Sequence, residues 1–201
     1  MITDLRGLVE YSKQRAKEFP DIREEIEIRF RKEYNENRFS VPEGLKLPEV
    51  YLGCVEELLI YGVSIGGFDL WPCASAGREL FLDIFSANRE WAPWRDVASA
   101  CRLVGVARQE NNIICVGELG TEAADKVVFI DCMSGKERSI VNVAPDFRAF
   151  LLLAANLEQL GDDYDTRPEQ AAFLMKGCLD SLKCGSEYVD FWVRQVIART
   201  G

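Results

Sequence analysis

The sequence predicts an α+β fold, with a central, mainly antiparallel sheet and flanking N- and C-terminal helices. Three observations carry this. Apolar residues recur at helical spacing near both ends of the chain. The middle holds successive Val- and Ile-rich runs of strand length. Short turns separate those runs, which favours a meander over alternating βαβ units.

The first predicted element is a helix over residues 3–19. It places Leu5, Leu8, Val9, Ser12, Ala16 and Phe19 on one face with charges opposite. Pro20 and Asp21 break it. Ile22, Ile26, Phe30 and Tyr34 then recur every fourth residue and predict a second helix. Residues 35–47 hold Asn, Pro and Gly and read as a loop. Pro48 suits the first turn of a third helix, with Tyr51, Cys54, Val55, Leu58 and Leu59 in register and Gly62 as its C-cap.

Strands are expected at RELFLDIF (78–85), RLVGVARQ (102–109), NIICVGEL (112–119), KVVFIDC (126–132) and RSIVNVA (138–144). MSGK reads as a hairpin loop. Helix returns at 146–159 along Phe147, Phe150, Leu151 and Ala154. GDDYDTRP (161–168) reads as an acidic linker, and Pro168 starts a helix with Ala171, Leu174, Met175, Cys178, Leu179 and Leu182 in register. Ser186 is a candidate cap for a last helix bearing Val189, Trp192, Val193 and Val196. The 201 residues are expected to form a single domain, with helical extensions over 1–40 and 161–201.

Composition narrows the function classes. Apolar residues make up 48% of the chain, enough for a sizeable core. No apolar run approaches the roughly 20 residues of a membrane-spanning helix, and MITDLRGL lacks the apolar stretch of a secretory signal. These features predict a cytoplasmic protein that does not engage membranes. Seven cysteines without CxxC spacing are expected to be buried free thiols. The chain has no histidine, which excludes Ser-His-Asp and Cys-His catalysis and removes the commonest nitrogen ligand of zinc. A net charge of −9 repels nucleic-acid backbones and attracts a basic protein partner.

The stretch GVSIGGFDLWP (62–72) tests the enzyme reading further. Gly62 and Gly67 have the spacing of a phosphate-binding loop, yet Phe68 and Asp69 stand where Lys and Ser or Thr are needed. The stretch also follows a helix and precedes a strand, the reverse of that motif. It reads instead as a glycine turn leading into a strand. Alternation places Phe68 and Leu70 on one face, with Asp69 and Trp71 outward on the other. In NREWAPWRD (88–96), Trp91 and Trp94 sit among arginines. They plug the edge of the core, which is the preferred assignment, or they form an interface hot spot. DDYD (162–165) lacks the glycine and distal glutamate of a calcium loop and reads as solvated surface.

LPEVYLGCVEELLIYGVSIGGFDLWP, the paired strands LVGVARQENNIICVGEL, the strand VVFIDC and the helix PDFRAFLLLAANL together resemble the SUKH superfamily, the SMI1/KNR4 domain, over about residues 45–157. The family's "sF..fL" signature is matched by Asp146-Phe147-Arg148-Ala149-Phe150-Leu151, with aspartate where serine is common. The resemblance implies a non-enzymatic binding protein without cofactor. Most bacterial members are immunity proteins that bind and neutralise a polymorphic toxin, often a nuclease, and fungal members are regulatory scaffolds of cell-wall synthesis and signalling. A small-ligand sensor is the remaining reading of the residues. The surfaces marked for a basic protein partner are Asp69 and Trp71, Trp91 and Trp94, and Asp162, Asp163 and Asp165.

Overall fold

The computed structural model describes residues 1–33, 41, 44–60, 62–71, 84, 87–88, 94–133 and 139–201. Its α-helices are α1 (Leu5–Glu18), α2 (Arg23–Ile26), α3 (Glu49–Glu57), α4 (Arg95–Ala100), α5 (Phe147–Asp163), α6 (Pro168–Ser181) and α7 (Val189–Thr200). Strands β1 (Arg29–Phe30) and β2 (Leu58–Leu59) form a small antiparallel pair. Strands β3 (Ser64–Ile65), β4 (Phe68–Leu70), β5 (Leu103–Gln109), β6 (Asn112–Gly117), β7 (Val127–Asp131) and β8 (Ser139–Ala144) form a six-stranded sheet in sequential order. Every pairing is antiparallel, so the α+β meander is the observed fold. Among the described residues no helix is long and apolar enough to cross a membrane. The strand expected over 78–85 lies outside the described residues, apart from Ile84, which is helical and buried. The MSGK loop also lies largely outside them.

The N-terminal region follows expectation in its first helix and departs from it after that. Helix α1 forms as read, with Asp4 capping it by accepting from Gly7 N–H at 2.8 Å. Phe19, however, is exposed. The second helix lasts only four residues, because EIEIRF also alternates at period two and the chain switches to that period. Ile26 and Ile28 are both buried, and Phe30 pairs with Leu58. Ser12 bonds both backbone groups of Ile28, accepting its N–H at 3.0 Å and donating to its carbonyl at 3.1 Å. This ties the strand to α1. The third helix accordingly ends at Glu57 rather than near Gly62. Leu58 caps it as the chain enters β2, and Pro48 is its N-cap, one position outside the first turn.

The sheet carries two bulges, and each unpaired carbonyl finds a donor. At Val106, where the β5–β6 register shifts, the carbonyl accepts from Trp71 N–H at 2.8 Å. At Val143, where the β7–β8 register shifts, it accepts from the Trp192 indole N–H at 2.7 Å. Beyond the end of β4, the Asn88 side chain takes the place of a strand. It accepts from Gly105 N–H and donates to Gly105 C=O, both at 2.9 Å.

One face of the sheet packs on helices. Asp146 caps α5 by accepting from Ala149 N–H at 2.8 Å, the role a serine plays equally well. The helix is buried on almost every turn and carries Phe147 and Phe150 into a cluster with Tyr51, Phe68 and Trp192. It runs through Gly161 to Asp163, so the first part of the predicted linker is helical. Glycine is used there because the Arg199 side chain lies where a Cβ would be. The last helix starts at Val189 after a 3-10 turn over Ser186–Tyr188, and Ser186 makes no side-chain cap. Trp192 and Val196 are fully buried in the core that also holds Leu5 and Leu8. Both terminal helical regions thus belong to the main core. Of the cysteines, Cys54, Cys115 and Cys178 are buried as expected, Cys132 and Cys184 are half-buried, Cys101 is exposed, and Cys73 lies outside the described residues.

Candidate functional site

The opening glycine stretch is a hairpin. Gly66 and Gly67 are its two turn residues, with φ of +61° and +81°, between the paired Ile65 and Phe68. Positive φ at both central positions is what a type I′ turn requires. Gly66 also sits against α5, where an added Cβ would lie 2.5 Å from Ala154 O. Phe68 and Leu70 are fully buried on the helical face. Asp69 points to the other face and pairs with Arg108 of β5 at 3.0 Å, both side chains being about half exposed. Such a pair stabilises by only ~0.2–1 kcal/mol.

Trp71 corrects the outward reading. It lies on the expected face, but that face carries a second apolar layer of Trp94, Ala98, Leu103, Ile113, Cys115, Val128 and Ile130, against which Trp71 is half-buried. Its backbone is fixed at both ends, since its carbonyl accepts from the buried Tyr51 hydroxyl at 3.0 Å. Trp71 and Trp94 meet over Gly105. A Cβ there would lie 2.9 Å from the Trp94 ring and 3.3 Å from that of Trp71. Trp94 is buried, so the core-plug assignment holds for it. Trp91 lies outside the described residues.

Beside Trp94, α4 and the segment 44–46 enclose a groove of about 270 Å³. Lys46, Asn88, Arg95, Ser99 and Glu118 supply its polar lining, and Glu118 is held by Arg102 at 3.3 Å. Nothing in the sequence pattern marked this groove, because its residues come from separated stretches at 44–46, 88, 94–104 and 118.

The predicted aspartates lie elsewhere, at the C-terminal end of α5. Asp163 and Asp165 are exposed, and Asp162 is about half exposed and 3.6 Å from Arg15 Nε. The structure therefore places the marked residues other than Trp91 in two regions, the tryptophan layer with Asp69 and the carboxylate corner.

Next to that corner is a charged cluster the sequence reading missed. Glu158 is buried and paired with Arg15 of α1, while Arg199 of α7 stands 4.0 Å away. Burial pushes the Glu158 carboxyl above its usual range, with Arg15 opposing. Burial also raises the Tyr11 phenol, and Glu158 adds to the effect. A signal was available: Glu158 lies four residues after Ala154 on the buried stripe of α5.

The fold and this site define an α+β protein with a helix-backed antiparallel sheet, a covered far face and an acidic corner. No family model matches the chain, and neither the curated proteins nor the solved structures contain a match to it.

Proposed function

We propose that this chain is a non-enzymatic protein-binding module of the SUKH type, a cytoplasmic immunity protein that binds and neutralises a basic toxin domain. The observation that carries this reading is charge placement. A chain of net charge −9 holds Asp163 and Asp165 exposed, and Asp162 half exposed, at and just past the end of a 17-residue helix. Exposed carboxylates clustered in this way steer a basic partner and compete with the phosphates a nuclease binds. The test is co-expression with the product of the neighbouring gene, where that gene encodes a toxin-like domain. A stoichiometric complex and rescue of growth are expected, and the absence of both defeats the reading.

The groove beside Trp94 favours a second reading, a sensor of a small anionic ligand held by Lys46 and Arg95. A rise in melting temperature with a small carboxylate or phosphate, lost in Lys46→Ala, is its expected sign.

A further inference from the structure

We infer that the free edge of β8 is where the protein partner docks, by adding an extended, basic-flanked segment antiparallel to Ser139–Asn142. The inference rests on the protein-binding reading above. It starts from hydrogen-bond parity. Residues of an antiparallel strand bond one neighbour and then the other in alternation. Gly117 N–H donates to Lys126 O across the β6–β7 junction at 3.2 Å. At the same parity, Cys115 and Ile113 bond Val128 and Ile130 of β7. Phe129 and Asp131 then bond Val141 and Ser139 of β8. The same parity turns Gly105 away from β6, and it is indeed bonded by Asn88. Ile140 and Asn142 therefore aim both their N–H and C=O groups at the open side.

The sheet ends at β8, and among the described residues no strand pairs with that side. Within Ser139–Asn142 there is neither a charged nor a proline guard, and the one guard on the strand is the bulge at Val143. Ile140 is 43% exposed. The bulge at Val143, sealed by Trp192, marks where an added strand stops. The opposite edge differs, since β3 has only two residues and its Ile65 is buried.

Charge selects the occupant. The chain as a whole is at −9. Two copies repel one another, whereas a strand flanked by Lys or Arg is attracted.

The experiment uses the full chain and the neighbouring toxin domain as the probe. Proline is tolerated on an edge whose N–H faces solvent, so Asn142→Pro is expected to keep the fold, which circular dichroism checks. It removes one donor that strand addition needs. Expected are a loss of affinity of about tenfold or more in Asn142→Pro, affinity within about twofold of the parent in Asn142→Thr, and slowed amide exchange at Ile140 and Asn142 in the complex. A complex that forms while both amides still exchange freely, or that Asn142→Pro leaves intact, overturns this inference and spares the binding reading. No complex with the parent chain overturns both. Dimerisation of the chain alone, abolished by Asn142→Pro, assigns the edge to a second copy and overturns the inference.

Discussion

Gly105 shows how one residue sets the far face. Trp71 and Trp94 approach its Cα so closely that a methyl group has no space. Gly105→Ala is expected to destabilise by ~1–3 kcal/mol through overpacking, with a shifted tryptophan emission, both read in a denaturant titration. Glu158 and Arg15 give an asymmetric expectation. Glu158→Gln keeps a hydrogen-bond acceptor for Arg15 while removing the buried charge, and is expected to lose about 1 kcal/mol. Arg15→Met leaves the buried carboxylate only the more distant Arg199, at 4.0 Å, and is expected to cost about 3 kcal/mol. The sign with pH follows from the raised value of the Glu158 carboxyl. The folded state holds the Glu158 proton more tightly than the unfolded chain, so this group's contribution is complete below its unfolded value. It is lost as pH rises through the folded value. Glu158→Gln is expected to flatten that part of the stability profile, and an unchanged profile contradicts the assignment.

At the scale of elements, the bulge at Val143 makes the last helix part of the sheet. Trp192→Phe keeps most of the buried ring but removes the donor, leaving the Val143 carbonyl unpaired. A loss of ~1–3 kcal/mol is expected in thermal or chemical unfolding, with faster amide exchange in α7. This scale also shows what was legible in the sequence. Strands β5 to β8 carry dense Val and Ile between turn residues, and only one topology joins them by short turns. Helix α1 is legible from its single apolar stripe. EIEIRF was not, because Ile26 and Phe30 fit a helix and Ile26, Ile28 and Phe30 fit a strand. The partner that decides, Leu58–Leu59, lies about thirty residues away and itself reads as helix. Asp69 was placed correctly by alternation. Trp71 was placed on the right face too, but its burial was not legible, since the covering layer comes from Trp94 at the N-cap of α4 and Ala98 within it, which no local pattern connects to β4.

For the whole molecule, the two regions that bear on function differ in what they contribute. The carboxylate corner at the end of α5 acts at long range, so neutralising Asp162, Asp163 and Asp165 together is expected to slow association and weaken its salt dependence, with little change in dissociation. On the strand-addition proposal the β8 edge acts only in contact, so Asn142→Pro is expected to speed dissociation. The central claim is that the chain binds a basic toxin domain without chemistry of its own. Isothermal titration of the purified chain with the toxin domain of the neighbouring gene, repeated at rising salt, tests it most directly. The expected result is one-to-one binding that weakens with salt and is accompanied by loss of toxin activity. The absence of binding at every salt concentration, with the toxin fully active beside an excess of this chain, contradicts it.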